Sequence, residues 1–314
     1  MPFKFAVFIV FACSILAGCS NTDKASVQTF YGATMGTSYS IKVVAPGAAD
    51  LSSLQTEVQG ILDRIESRMS TYRQESELSR FNRAKPGHWF EVTDETATVV
   101  KMGLNISLET EGAFDMTVGP LVNLWGFGPD KDISKAPDEA KIKELLTRVG
   151  FDQIQVQQDP PALKKQNDSY LDLSAIAKGY AVDQVAEHIA DAYSAFLVEV
   201  GGELRAQGHK PNGDSWRIAV ESPVAGARNI QKVINVDDTA IATSGDYRNY
   251  FEQDGVRYSH TIDPLTGKPI RHRLASVTIL DPSCARADAL ATAMMVLGEE
   301  KGLALAKALK LPAF

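Results

Sequence analysis

The sequence predicts a single domain with a mixed α/β (α+β) fold, in which helices pack on a largely antiparallel sheet. Segments with helical apolar spacing interleave with segments of strand character along the 314 residues. Several neighbouring strand segments are separated only by short turns, which is typical of antiparallel hairpins rather than of a purely parallel sheet. Neither a Pro/Gly-rich linker nor a tandem repeat divides the chain, which indicates one domain.

Five segments have the pattern of helices. Residues 52–69 carry apolar side chains every three or four positions, which predicts an amphipathic helix. Further helices are predicted over Asp94–Glu109 and Asp138–Val149. The strand Tyr170–Leu173 is expected to lead into a fourth helix, and a long fifth helix is expected from about Arg286 to Leu309.

Strands are predicted where apolar and polar residues alternate and where β-branched and aromatic residues cluster. The first is Ser38–Val44, which is followed by a turn at Pro46 and Gly47. The later strands are Phe196–Val200, Trp216–Glu221, Lys232–Val236, Tyr247–Glu252, Arg257–Ile262 and Leu274–Leu280.

The amino terminus has the pattern of a secretion signal. Lys4 precedes a short apolar run, Phe5–Ala17, and Leu16-Ala17-Gly18-Cys19 resembles the lipobox of bacterial lipoproteins. This predicts a signal peptide over 1–18, acylation of Cys19, a polar tether over 19–28 and a folded domain over 29–314. An ordinary cleaved signal with an incidental cysteine is the alternative.

The composition excludes several classes of protein. The chain has 32 basic and 39 acidic side chains and a formal charge of −7, so bulk electrostatic binding to nucleic acid is not expected. Of its three cysteines, only Cys284 lies outside the signal and the acylation site, so no internal disulfide is expected. A catalytic thiol at Cys284 lacks a neighbouring histidine in the sequence.

Two segments place candidate ligands on predicted helices. Asp288 and Thr292 are four residues apart, so they share a helix face and offer oxygen ligands suited to Mg²⁺; alternatively, Asp288 complements a helix terminus. In Leu171–Tyr180, a helix start and Lys178 would favour a phosphate or an adenosine hydroxyl. Alternatively, Ser174 is only a helix cap and Lys178 a solvated charge.

Two further segments leave structural and functional interpretations open. Gly112–Pro120 packs glycine, proline and aspartate around apolar residues and forms either tight turns or a ligand wall. Tyr258–Gly267 places His260 at a strand end, where it serves either as a base or as a hydrogen-bonded structural residue. The motifs of phosphate loops, zinc proteases, Cys-x-x-Cys sites and nucleophile elbows are absent from the sequence.

Together, blocks in chain order resemble one known family, from about residue 29 to residue 300. The blocks are Thr34–Thr37 with Tyr39, Ser70–Arg73 with Ser76–Asn82, Gly112–Pro120, Leu171–Asp183, Val200–Leu204, Thr243–Tyr247, Ser259–Gly267 and Ala287–Gly298. They are similar to the ApbE family of flavin transferases, the FAD:protein FMN transferases, in which lipoprotein forms are common.

The resemblance implies a set of binding residues. FAD would be bound by Met35, Tyr72, Ala113, Phe114, Asp115, Asp172, Lys178 and Ile262. Mg²⁺ would be bound by the Ala175 carbonyl with the side chains of Asp288 and Thr292. His260 would be the general base or a phosphate contact. The candidate catalytic residues are therefore His260 and Asp288. Several relatives have Asp where this chain has Ala291, so this site has one carboxylate fewer.

The resemblance also implies a reaction and partners. A threonine hydroxyl of an acceptor protein would attack the FMN-side phosphorus of FAD and release AMP. Family acceptors are subunits of membrane redox complexes such as the sodium-pumping NADH:quinone oxidoreductase. We therefore expect a lipid-anchored protein facing the periplasm on the inner membrane, with Ser20 leaving the outer membrane as the alternative.

Two rival functions share the same residues. In an FAD pyrophosphatase, water would replace the threonine hydroxyl and give FMN and AMP. In a non-catalytic FAD-binding lipoprotein, FAD would stay intact in the presence of Mg²⁺ and acceptor.

Overall fold

A six-stranded antiparallel sheet forms the centre of the fold. The computed structural model describes residues 24–47, 49–129, 135–223, 229–247 and 249–314. In spatial order the strands are β1 (Ala25–Thr34), β2 (Thr37–Pro46), β6 (Phe196–Val200), β7 (Glu203–Gln207), β10 (Thr239–Gly245) and β15 (Ser276–Asp281). Each neighbouring pair is antiparallel, which confirms the predicted class of sheet.

Four small antiparallel sheets, seven α-helices and a short 3-10 helix, Phe151–Gln153, complete the described elements. The helices are α1 (Ser52–Met69), α2 (Glu77–Arg83), α3 (Asp94–Glu109), α4 (Gly119–Leu124), α5 (Glu139–Leu146), α6 (Ala177–Ala190) and α7 (Cys284–Ala308). The remaining strands are β3 (Phe90–Glu91), β4 (Ile154–Gln158), β5 (Pro161–Lys165), β8 (Trp216–Glu221), β9 (Ile230–Val236), β11 (Tyr250–Gln253), β12 (Val256–Ser259), β13 (Ile262–Asp263) and β14 (Lys268–Pro269). None of the described helices has the length and apolar character needed to cross a bilayer.

The central sheet has a different cover on each face. On one face, Ile41, Val198 and Ala242 belong to the large core shared with α1, α3, α6 and α7. On the other, Leu204 and Trp216 belong to a smaller core formed with the β8–β9 hairpin. This alternation along the strands follows from the two-residue period of a pleated sheet.

Several predicted elements are confirmed and others differ. The predicted α1 and α3 coincide with the observed helices. The expected strand Arg257–Ile262 is divided between β12 and β13, and β10 was not predicted. Of the expected tether, residues 25–28 belong to β1, which pairs with β2 from Ala25 onward. The predicted signal and Cys19 lie outside the described residues.

The predicted strand Tyr170–Leu173 is wrong. The segment belongs to no strand, and three of its polar backbone groups are satisfied by partners outside the sheets. The side-chain amide of Asn82 accepts from the Leu171 N–H and donates to the Leu171 carbonyl, both at 2.8 Å, and the Asp172 N–H donates to the Met116 carbonyl at 2.7 Å. One asparagine thus replaces a strand partner, which an alternation pattern does not reveal.

Helices α6 and α7 cross in direct backbone contact. A Cβ atom on Gly179 would lie 2.4 Å from the Cys284 carbonyl oxygen and 2.7 Å from the Ala285 Cα. Beside this crossing, the buried Asp183 carboxylate of α6 accepts from the backbone N–H groups of Cys284 at 2.9 Å and Ala285 at 3.0 Å. These first-turn amides have no intrahelical acceptors, so Asp183 satisfies them and fixes α7 to α6.

We predict that Gly179→Ala lowers the free energy of unfolding by about 1–3 kcal/mol, because the added methyl group must push α7 away from α6. The matched control is Gly60→Ala on the exposed side of α1, where a Cβ meets nothing within 4 Å. That substitution should stabilise the protein by about 0.5–1 kcal/mol through helix propensity. Chemical denaturation measures both, and an unchanged midpoint for Gly179→Ala would contradict the packing argument.

Candidate functional site

The α6–α7 crossing brings the predicted metal ligands together. Asp288 lies in the second turn of α7 and is 5% exposed, so it is neither a surface charge nor the cap of that helix, which is Ser283. Its Oδ2 atom accepts from the Gly179 N–H at 3.1 Å. In a continuous helix that N–H would donate to the Ala175 carbonyl, four residues earlier.

The diverted hydrogen bond leaves the Ala175 carbonyl available as a ligand. Residues 174–176 form a turn, and α6 begins only at Ala177, so the expectation that Ser174 caps this helix is wrong. Ala175, Asp288 and Thr292 all line one cavity. A carbonyl, a carboxylate and a hydroxyl are hard oxygen donors of the kind that Mg²⁺ prefers, so the residues present fit this ion.

A set of three histidine, cysteine or acidic side chains placed to hold a metal does not occur within the described ranges. The predicted ligand set has only one carboxylate, that of Asp288, and Ala291, the residue before Thr292, is fully buried in the core. The remaining coordination positions of a bound Mg²⁺ would be filled by water and phosphate oxygens, as is usual for this ion.

Lys178 is not the solvated charge of the alternative interpretation. Its Nζ atom lies 2.6 Å from Glu203 Oε1 and 3.9 Å from Asp288 Oδ1. Burial opposes the charged ammonium, but the two carboxylates outweigh it and raise the pKa of Lys178 above its ordinary value. Lys178 therefore stays protonated and gives the cavity a fixed positive charge.

Burial raises the pKa of the two acids, whereas on its own it would lower the pKa of Lys178. It raises the pKa of Glu203 to about 7, despite the nearby ammonium of Lys178. It also raises the pKa of Asp288, with Lys178 and the Gly179 N–H acting against the shift. The two buried carboxylates face only one ammonium. When both are ionised, the cluster carries a net negative charge, which a divalent cation would neutralise.

The cavity at this cluster has a volume of about 430 Å³. Most of the predicted site residues line it, although they come from distant parts of the chain. They are Tyr72, Ala113, Phe114, Asp115, Asp172, Ala175, Lys178, His260, Ile262, Asp288 and Thr292. The segment Gly112–Pro120 thus contributes a cavity wall as well as turns.

Met35 lines a second cavity of about 530 Å³, on the other side of Tyr72. It sits in the β1–β2 turn with a positive φ of 49°, a conformation that residues other than glycine seldom adopt. Three residues line both cavities, namely Tyr72, Ser174 and Lys178. The two spaces therefore adjoin at the lysine.

Two of the predicted aspartates have their carboxylates engaged by the protein. Asp115 accepts from the N–H and hydroxyl of Thr117 and from the N–H of Phe151, at 2.6–2.9 Å. Burial raises the pKa of Asp115, and these hydrogen bonds work against that shift. Asp172 accepts from the N–H and the hydroxyl of Ser174. Both aspartates therefore shape the loops that form the wall.

His260 lies at the cavity wall beyond the end of β12. Its Nδ1 atom is 3.1 Å from the Asn249 carbonyl oxygen, and its ring packs edge-on against Phe127. Burial lowers the pKa of His260, with the Asn249 backbone hydrogen bond acting in the opposite sense. The neutral imidazole is the form that accepts a proton, so the site favours the base-competent form.

Glu203 is the site residue that the sequence interpretation missed. It lay inside a matched block, Val200–Leu204, but no role was assigned to it. Glu203 lies close to Lys178 because the β6–β7 hairpin brings the first residue of β7 to α6. A contact between two separate elements leaves no local pattern in the sequence. An acid next to a glycine pair, Gly201-Gly202, in a predicted sheet was the available clue.

The amino end of α7 also holds Cys284. Its side chain is fully buried, and its Sγ lies 3.6 Å from the Leu204 carbonyl oxygen. Burial raises the pKa of the Cys284 thiol, and the negative charge of Asp183 adds to the shift. This thiol is outside the lining of the described cavities and has no part in the site chemistry.

Comparisons with known proteins give relatives that match nearly the whole chain. The model of the ApbE family matches residues 35–314. An FAD:protein FMN transferase of Vibrio cholerae is 48% identical over 301 residues, covering 95% of this chain and 89% of that protein. One of Haemophilus influenzae is 42% identical over 300 residues, covering 93% and 86%.

Solved structures give the same result. The flavin transferase ApbE from Vibrio cholerae aligns with a TM-score of 0.85 and 46% identity, over 92% of this chain and 93% of that one. The apo form of the Pseudomonas stutzeri flavinyl transferase ApbE aligns with a TM-score of 0.85 and 43% identity, over 92% and 90%. The predicted fold is thereby confirmed.

We predict that His260 titrates below about 6.5, the ordinary histidine value, because burial penalises its charged form. The ring signals of the purified protein, followed by NMR across the acidic range, measure this. His260→Asn assigns the signal by removing it. A midpoint at or above the ordinary value would contradict the described surroundings of the ring.

Proposed function

The chain belongs to the ApbE family, and we propose that it transfers FMN from FAD to a threonine hydroxyl of an acceptor protein, with Mg²⁺ as the metal and AMP as the product. The FAD:protein FMN transferases that it resembles cover nearly all of its length. The observation that carries the proposal is the meeting of Lys178, Asp288 and the free Ala175 carbonyl at one cavity.

Adjoining cavities suit a dinucleotide such as FAD. Each has a volume of several hundred Å³, and they meet at Lys178, whose fixed positive charge favours phosphate. We propose that the pyrophosphate lies at this junction, with Met35 and Tyr72 contacting FAD from the second cavity. The walls at Ala113–Asp115, Asp172 and Ile262 would contact it from the first.

The metal site completes the charge balance. A pyrophosphate adds negative charge to a site that already holds two buried carboxylates and one ammonium. Ala175, Asp288 and Thr292 would hold Mg²⁺ beside it, where the ion would neutralise the charge that develops on the phosphates. The buried position of Asp288 supports this role, because a carboxylate in this setting is stabilised by a cation.

The transfer step needs positioning and one proton acceptor. The acceptor threonine oxygen forms a bond to the FMN-side phosphorus while the bond from that phosphorus to the bridging oxygen breaks, and AMP leaves. His260, neutral at the cavity wall, is the candidate acceptor of the hydroxyl proton. Lys178 holds the phosphates in place for this displacement.

The acceptors and the cellular site follow from the same family reasoning. We propose that the acceptors are subunits of membrane redox complexes, such as those related to the sodium-pumping NADH:quinone oxidoreductase. A lipid anchor at Cys19 would hold the enzyme on the periplasmic side of the inner membrane, where such a threonine is accessible.

The reaction is tested by intact-mass analysis of a threonine-containing acceptor domain incubated with the purified protein, FAD and Mg²⁺. We expect a mass gain of one FMN that disappears with EDTA. Asp288→Asn keeps an acceptor for the Gly179 N–H but loses the charge, so the rate should fall at least about tenfold, the loss seen when a group that only supports a metal ligand is changed. The control Asp191→Asn, at the exposed end of α6, should retain the rate.

The small molecules left in the reaction mixture decide between the rival functions. Free FMN and AMP with an unmodified acceptor would identify an FAD pyrophosphatase, in which water replaces the threonine hydroxyl. Intact FAD in the presence of Mg²⁺ and acceptor would identify a binding protein. Either result would overturn the transferase proposal.

The anchor is tested separately. We predict that Cys19→Ser moves the protein from the membrane fraction to the soluble fraction, because the acyl chains on this cysteine provide the stable attachment. Fractionation followed by immunoblotting measures the distribution, and FMN transfer by the soluble form should be unchanged. A variant that still sediments with membranes would show that Cys19 is not the anchor.

A further inference from the structure

The partly exposed ammonium of Lys178 meets the buried carboxylates of Glu203 and Asp288, and the two separations are unequal. Lys178 Nζ lies 2.6 Å from Glu203 Oε1 but 3.9 Å from Asp288 Oδ1. Glu203 is 3% exposed, and Asp288 is 5% exposed. Because charges interact strongly in such surroundings, the position of the one ammonium decides which carboxylate it neutralises.

We propose that Glu203 is a positioning residue that holds Lys178 away from Asp288 and so keeps the Asp288 carboxylate available to a divalent cation. The inference rests on the proposed function, which assigns Asp288 to the metal. It concerns a residue outside the predicted ligand set. Glu203 acts through Lys178 and forms no contact with the cation.

The geometry around Lys178 supports this competition. Its aliphatic stem passes Gly201, where a Cβ would meet the lysine Cδ at an ordinary van der Waals distance of 3.5 Å, and the side chain reaches β7. There the lysine meets Glu203, the first residue of the strand. Within the part of the chain that the structure describes, Lys178 has two carboxylate neighbours, Glu203 and Asp288. If Glu203 loses its charge, Asp288 is the carboxylate that attracts the ammonium. A close pair between them would place a positive charge on the metal's own ligand.

The carboxylate of Glu203 is engaged with Lys178 through only one of its two oxygens, Oε1. Oε2 is buried and has no hydrogen-bond partner among the described residues. An unpaired buried carboxylate oxygen is costly, so the ion pair through Oε1 must outweigh that cost for the acid to stay charged. A buried ion pair of this kind contributes little net stability, so its effect is the placement of Lys178.

The test measures cation binding in the absence of flavin, with Mn²⁺ as the probe and the signal of the free ion in electron paramagnetic resonance as the readout. Glu203→Gln preserves side-chain size and removes the charge. We expect it to weaken Mn²⁺ binding about tenfold, as changes to groups that support metal ligands commonly do. The control Glu199→Gln, whose residue accepts from the Gly202 N–H in the neighbouring turn at 2.8 Å, should bind as the wild type does.

A double-variant cycle shows whether Glu203 acts through Lys178. In the Lys178→Met background the competing ammonium is gone, so adding Glu203→Gln should no longer weaken Mn²⁺ binding. Equal weakening in both backgrounds would mean that Glu203 binds the cation directly or supports the fold, and would overturn the inference. So would wild-type affinity in Glu203→Gln alone.

A crystal structure of Glu203→Gln provides an independent readout. The separation between Lys178 Nζ and the Asp288 carboxylate should shorten from 3.9 Å to hydrogen-bond distance. An unchanged separation would also overturn the inference. Failure of the wild type to bind Mn²⁺ would instead contradict the metal assignment in the proposed function, so the two failures are distinguishable.

Discussion

The site depends on the close crossing of α6 and α7 at Gly179. Because this residue has no side chain, the two helix backbones approach closely enough for its N–H to reach Asp288 rather than the Ala175 carbonyl. One displaced hydrogen bond thus orients a carboxylate and frees a carbonyl at the same point. Asp183 holds the crossing in register by accepting from the first amides of α7. Packing and ligand placement are therefore consequences of the same contact.

Charge is the second constraint, because a net acidic chain must bind a phosphate ester. The solution is local. Lys178 is kept protonated by two acids whose own pKa values are raised by burial, so one ammonium faces two carboxylates, and the proposed Mg²⁺ would add positive charge there. Since the attraction between cation and phosphate is mutual, metal and nucleotide should each favour the binding of the other.

Sequence patterns predicted α1 and α3 because each shows an apolar stripe with helical spacing, and they predicted the class of sheet from its hairpins. Asp288 and Thr292 were predicted because four residues on a helix are neighbours in space. The false strand at Tyr170–Leu173 and the missed Glu203 share one cause. Asn82 satisfies the backbone 89 residues away, and Glu203 meets Lys178 across two elements, so neither relation leaves a local pattern.

The amino end of α7 has a consequence for redox chemistry. A cysteine at a helix start usually has a lowered pKa, since free amides stabilise the thiolate. At Cys284 the amides are taken by Asp183, and the thiol is sealed in the core with its pKa raised. It should therefore resist oxidation and alkylation while the protein is folded. In the periplasmic location proposed above, this burial would let the chain carry a free cysteine without forming mixed disulfides.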